Sequence, residues 1–135
     1  MGELRVGAAE LDLTPSLGCV LAGSLGPRYA EDVSYPLRTK AVVFDDGDTQ
    51  VVYVQNDLIF LQRHQFDTAK ARAQALTGIP AEHMMMSATH THYGPITVDM
   101  FGMTAENEYL EGALQKIGDV VKLAQNRLEP AVIGH

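Results

Sequence analysis

The chemistry available to this chain centres on two histidines separated by a single residue, His90 and His92, in the run Thr89-His90-Thr91-His92-Tyr93-Gly94-Pro95. A neutral imidazole is a ready ligand for zinc, and a catalytic zinc holds about three protein ligands and keeps one position open. A metal held that way lowers the pKa of its water and polarises a carbonyl. In extended chain the side-chain period is two, so both imidazoles project to one side. Gly94 permits a close turn of the backbone, and Pro95 biases Gly94 towards an extended conformation. The pair is thus carried on a constrained segment. Two hydrogen-bonded histidines capping a strand end would satisfy the same spacing, so the pair by itself leaves a structural reading and a chemical one open.

The elements that must position the pair can be read outwards from it. Met84–Ala88 reads as a short buried strand that delivers His90 and His92 just past its carboxyl end. Before it, Gln62–Leu76 has helical spacing, with Phe66, Ala69, Ala73 and Leu76 on one face and Lys70, Arg72 and Gln74 pointing away. Gly78 terminates that helix and Pro80 prevents its continuation. Upstream, Arg38–Phe44 and Gln50–Asn56 flank Asp45-Asp46-Gly47-Asp48, which supplies the turn chemistry of an antiparallel hairpin. The run Val51-Val52-Tyr53-Val54 is unbroken and reads as a strand covered on both faces.

Strand, helix and strand in this order form a βαβ crossover, so the Gln50 and Met84 strands are expected to be parallel. Ligands in such sheets bind beyond the carboxyl ends of the strands. Asn56 and Asp57 leave the first strand at the edge where His90 and His92 leave the second. A carboxylate there, Asp57, could orient an imidazole by accepting its N–H.

Elsewhere, Leu4–Leu13 reads as a strand ended by Thr14-Pro15, because proline has no N–H for a ladder. Ser16–Pro36 is rich in Gly, Ser and Pro and reads as one long loop of the functional or mobile kind. A second helix spans about Ala105 to Arg127, with Leu110, Leu114, Ile117, Val121, Ala124 and Leu128 on one face, Thr104 as N-cap and Pro130 as stop. Ala131–Gly134 reads as the start of a further strand. The whole is an α/β fold, a mixed sheet made of a β-hairpin and a βαβ crossover with helices packed on it. Residues 1–135 form one unit that reads as a truncated part of a larger domain, because it stops as it enters a strand.

Composition narrows the function classes. Apolar residues make up 46% of the chain and charged residues 20%, as in globular proteins. The net charge of −7 and scattered basic residues argue against a nucleic-acid partner. No apolar run approaches the roughly 20 residues of a transmembrane helix. No secretory signal is visible, which points to the cytoplasm, or to secretion if a leader has been removed. The single cysteine, Cys19, excludes an internal disulfide and a cysteine-rich zinc site, and reads as a small buried hydrophobe.

The remaining histidines carry weaker signals. His64 and His83 read as surface residues, and His135 would reach the edge of His90 only if its strand were parallel. Met84, Met85 and Met86 read as core packing, and Asp45, Asp46 and Asp48 as turn residues more than as a calcium site.

The segment Val6-Gly7-Ala8-Ala9-Glu10-Leu11-Asp12-Leu13-Thr14-Pro15 resembles the opening of the neutral/alkaline non-lysosomal ceramidase family, as does Leu21-Ala22-Gly23. The hairpin ending in Asn56-Asp57-Leu58 is similar to the next family segment. The most specific match is Gly78-Ile79-Pro80 followed by Met84 to Pro95. In order, these cover nearly the whole chain.

The resemblance implies a zinc-dependent amidase that cleaves the N-acyl bond of a lipid amide, ceramide, by attack of zinc-bound water. It assigns His90 as a zinc ligand and His92 as the residue that assists proton transfer. Gly23, Asp57 and Tyr93 become candidates for supporting or substrate-binding positions. The family has Ser where this chain has Tyr93, and its remaining zinc ligands, a His, a Glu and a Tyr, lie beyond this sequence.

The competing readings are a non-catalytic binding or assembly module that keeps the scaffold, and one part of a split enzyme completed by a downstream segment. A metallo-β-lactamase also carries His-x-His after a buried strand, but continues with Asp and a further His instead of Tyr93-Gly94-Pro95. If the helices lie on one face only, the uncovered apolar sheet is left for a missing downstream segment or for a second copy, and such a patch would drive homo-oligomerisation.

Overall fold

The computed structural model describes residues 2–134. Its elements in chain order are β1 (Arg5–Asp12), β2 (Val20–Leu21), β3 (Arg28–Tyr29), β4 (Arg38–Asp45), β5 (Gln50–Asn56), α1 (Arg63–Thr77), β6 (Met84–Ala88), α2 (Asn107–Gln125) and β7 (Glu129–Pro130). Five strands form one mixed sheet in the order β6-β5-β4-β1-β7, and β2 and β3 form a separate ribbon.

The hairpin is β4 against β5, with Val43 opposite Val52 and Thr39 opposite Asn56. Its turn is held by the Asp46 carboxylate, which accepts the N–H groups of Asp48 and Thr49 at 3.0 and 2.8 Å. Gly47 supplies the left-handed φ of 93° that the turn requires. β5 and β6 run parallel, with Asn56 beside Ala88, so the expected crossover through α1 is present. Gly78 ends α1 in the left-handed conformation at φ 75°, and its N–H returns to the Gln74 carbonyl.

Both helices lie on one face of the sheet. The inward residues are Ala9 of β1, Ala41 and Val43 of β4, Val52 and Val54 of β5, and Met84 of β6. α2 covers β1 and β4 with Leu110, Ala113, Ile117, Val120, Val121 and Ala124, and α1 packs beside α2 through Ala69 and Ala73. The Arg72–Asp119 ion pair at 2.7 Å ties the helices at their rim. Gly7 lets β1 approach the end of α2, because a Cβ there would lie 2.1 Å from the Ala124 carbonyl oxygen. Among the described residues no helix is long and apolar enough to cross a membrane.

Several sequence expectations change in detail. The Val51–Val54 run is covered on one face only: Val52 and Val54 are buried, while Val51 is 45% exposed. An unbroken apolar run can equally arise from an inward row plus an apolar outer row. Met84–Ala88 is likewise half open, because Met85 lies beside Tyr53 on the face without helices and is 64% exposed. On α1 the inward residue of the first turn is Gln65, and Leu76 is exposed.

Thr104 is not the cap of α2. That helix starts at Asn107, because Glu106 donates its N–H to the Ile96 carbonyl at 3.0 Å and Ala105 donates to the Asp99 carboxylate at 2.8 Å. Those contacts hold the preceding residues in a non-helical path. The long Ser16–Pro36 loop contains the β2–β3 ribbon. The final pairing is not at Ala131–Gly134 but at Glu129–Pro130, antiparallel to Val6 and Arg5. His135 lies outside the described residues.

Candidate functional site

β5 and β6 end side by side, and the segments that leave them are stitched together by backbone hydrogen bonds. Thr89 donates its N–H to the Asn56 carbonyl at 2.9 Å, and His90 donates to the Leu58 carbonyl at 3.0 Å. The buried side chain of Asn56 reinforces the junction. Its amide donates to the Ser87 carbonyl at 2.9 Å, and its oxygen accepts the Thr39 hydroxyl at 2.7 Å. Further on, Ala22 donates to the Gly94 carbonyl and Ile96 to the Val20 carbonyl, both at 2.9 Å, so the glycine-rich loop runs against the segment after the histidines.

His90 and His92 meet on this support. Their ring centroids are 5.1 Å apart with an interplanar angle of 64°, an edge-to-face pair. His90 does not reach this position through plain extended chain. Its φ is 62°, in the left-handed region that a non-glycine residue rarely adopts. The imidazoles share a side because the backbone turns at His90.

His90 Nδ1 lies 2.9 Å from the Ile59 carbonyl oxygen. A carbonyl can only accept, so a neutral His90 carries its proton on Nδ1 and presents the Nε2 lone pair outward. Both histidines are exposed to solvent, and they line a hollow of about 280 Å³ with Gly23, Ile59, Phe60 and Phe101.

Gly23 is built into the site. Its φ is 91°, and a Cβ on it would lie 2.4 Å from His92 Cγ. The His92 ring therefore occupies the space that a side chain at position 23 would take. Tyr93 is 75% exposed and points away from this hollow. With Thr91 it lines a second hollow of about 360 Å³ together with Leu21, Leu37 and Tyr35. Alternate residues of one segment thus face two hollows.

Asp57 has a different engagement from the one expected of it. Its Oδ2 accepts the Arg38 N–H at 2.9 Å, closing the end of the hairpin. The Ile59 carbonyl takes the role of fixing the His90 ring. His64 is exposed, as expected, and His83 is half-buried with Nδ1 3.1 Å from the Gln50 carbonyl oxygen. Partial burial pushes the Cys19 thiol up, and the Glu106 carboxylate adds to that, so Cys19 lacks the thiolate character of a nucleophile.

Among the described residues no group of three or more His, Cys, Asp and Glu gathers round one point. The histidines offer nitrogen donors of the kind zinc takes, with one ring oriented by its Nδ1 contact, but not a full ligand set.

No family model matches the chain, and no curated protein sequence matches it. Solved structures do match. A neutral ceramidase from Pseudomonas aeruginosa superposes with a TM-score of 0.84 at 23% identity, over 96% of this chain and 22% of that one. A ceramidase complexed with C2 superposes with a TM-score of 0.80 at 24% identity, again over 96% and 22%. The chain has the fold of one part of a neutral ceramidase. It spans 22% of the length of these ceramidases, so the likeness concerns that portion of their architecture.

Two residues of this site gave no signal in the sequence. Ile59 acts through its carbonyl, which any residue type could supply. Arg28 lies in the glycine-rich loop, on β3, and its guanidinium donates from Nη2 to the Ala22 carbonyl at 2.8 Å and to the His92 carbonyl at 2.5 Å. It also stacks 5.1 Å above the centre of the Tyr93 ring. Only the long-range packing of β3 on the histidine segment reveals it.

Proposed function

We propose that the chain carries part of the active site of a zinc-dependent amide hydrolase of ceramidase type. The observation that supports this most directly is the His90 Nδ1 contact with the Ile59 carbonyl at 2.9 Å, which leaves Nε2 available beside His92. A strand-capping histidine has no need of a left-handed backbone, yet His90 adopts φ 62°. Strain of that kind is concentrated at functional sites. The fold shared with a neutral ceramidase supports the same reading.

In this mechanism His90 would hold zinc through Nε2. Bound there, zinc would supply Lewis acidity to an amide carbonyl and would make water a better nucleophile. The overall reaction adds water across the N-acyl bond: the C–N bond breaks, oxygen goes to the acyl carbon and a proton goes to the departing amine. His92, beside His90, assists by passing that proton to nitrogen. Gly23 keeps the space His92 occupies. Leu25, Phe60 and Phe101 give the hollow an apolar wall suited to the hydrocarbon of a lipid amide.

The absence of a three-member ligand group among the described residues favours a related reading, in which another polypeptide segment supplies the remaining ligands. Zinc stoichiometry of the purified chain and of His90→Ala tests the proposal. Zinc bound by the first and lost in the second supports it, as does hydrolysis of a fluorogenic N-acyl amine. Hydrolysis only after a second polypeptide is added points to the split site. No zinc in either protein, with no hydrolysis under any of these conditions, would sink the reading.

A further inference from the structure

We infer that Arg28 is the positioning residue of His92, acting through the His92 backbone while Gly23 shapes the space for its ring; this rests on the reading of His92 as the proton-transfer group. Arg28 reaches the histidine segment from the β2–β3 ribbon, 64 residues away in sequence. Its Nη2 is shared between two carbonyls, Ala22 at 2.8 Å and His92 at 2.5 Å. Those carbonyls belong to the two strands of chain that meet at the Ala22–Gly94 hydrogen bond. One guanidinium nitrogen thus ties the loop that bears Gly23 to the loop that bears His92.

Two further observations show how tightly the group is held. The guanidinium carbon lies 5.1 Å from the Tyr93 ring centre, a cation–π contact to the residue next to His92. Among the described residues the buried Arg28 Nε has no hydrogen-bond partner. A desolvated donor left unpaired is unfavourable, so the two carbonyl bonds and the aromatic contact must outweigh it.

The geometry also accounts for the residue type. Nη2 carries two N–H groups, one for each carbonyl, fixed in the plane of a guanidinium that also lies on the Tyr93 ring, whereas an ammonium is a compact point charge on a flexible stem. The His92 ring, for its part, fills the space of an absent side chain, because a Cβ on Gly23 would lie 2.4 Å from His92 Cγ. With the carbonyl fixed at one end and the ring wedged at the other, His92 has one orientation relative to His90.

Histidine-ring NMR on the metal-free chain, labelled with 15N-histidine, tests this. The wild type should give one set of His92 ring signals and a ring-to-ring nuclear Overhauser effect with His90, since the centroids are 5.1 Å apart. Arg28→Ala should lose that effect and broaden or split the His92 signals, while His64 and His83 stay unchanged as internal markers of the fold. Arg28→Lys, which keeps the charge but not the planar group on the Tyr93 ring, should recover the effect only in part.

An unchanged His92 pattern in Arg28→Ala overturns the inference. If His64 and His83 also move, so that the alanine variant has not folded, the reading is taken from Arg28→Lys, where a full wild-type pattern overturns it. Zinc stoichiometry separates this result from the functional reading. Loss of His92 order with zinc still held by His90 supports positioning. A chain that binds no zinc yet loses His92 order in Arg28→Ala retains the positioning role and shows that this chain holds no zinc by itself.

Discussion

Left-handed backbone at His90 and at Gly23 gives the site its residue-scale character, and it makes the two positions respond to substitution in opposite ways. An L-residue in that region costs about 1–2 kcal/mol relative to ordinary helical or extended backbone. His90→Ala and His90→Gly both remove the imidazole, but only glycine relieves the φ of 62°. The glycine variant should therefore be more stable than the alanine variant by about 1 kcal/mol, measured by urea unfolding. Equal stabilities would mean that the strain is absent in solution. Gly23→Ala runs the other way. It should lose at least about 1 kcal/mol from its φ of 91° alone, and its Cβ should displace the His92 ring. The measurement is unfolding stability together with the His92 NMR signals.

The sequence marked His90 and His92 by type and spacing, and Gly23 by its place in a glycine-rich loop. It could not mark Arg28 or Ile59, because their contacts cross long stretches of chain and one of them is made by backbone. Asp57 shows the converse limit. A carboxylate at the right sheet edge was legible, but the amide it would bind, Arg38 N–H, was not.

At the scale of elements, the junction of β4, β5 and β6 depends on one buried side chain. Asn56 is fully buried and accepts from Thr39 while donating to Ser87. Asn56→Leu would remove both partners' bonds and leave the Thr39 hydroxyl and the Ser87 carbonyl to find others in a dry setting. Each buried group left unsatisfied costs about 1–3 kcal/mol. The variant should unfold at a lower urea concentration, and it should lose order at Thr89 and His90 before it loses the helices. If the two change together, the junction is not a separate unit.

The hairpin and crossover were readable because turn chemistry and apolar period are local properties. The start of α2 was not, since Thr104 has the right type for a cap while the contacts of Ala105 and Glu106 with Asp99 and Ile96 decide where the helix begins.

At the scale of the whole molecule, the helices occupy one face and leave the other open. Val51 and Met85 are 45% and 64% exposed, and Val42, Phe44 and Tyr53 are half-buried on the same side. An apolar patch of this kind promotes association. Sedimentation should show concentration-dependent self-association that weakens in Val51→Lys combined with Met85→Lys. A monomer at every concentration would show that the patch is tolerated in water. The one-sidedness was hard to read from sequence, because β5 has apolar residues in both of its rows and pattern alone does not say which row finds a helix.

The backbone stitching around the histidines carries a consequence for time as well as for shape. The amides of Thr89 and His90 are bonded to carbonyls of the chain leaving β5, and that of Ile96 to the carbonyl of Val20. None of these protons can exchange with deuterium unless its partner segment first lets go. The metal-binding candidate is therefore not a loop that samples shapes on its own clock. Its exchange rates should follow those of the β5–β6 ladder, so that the site opens only when the sheet edge does.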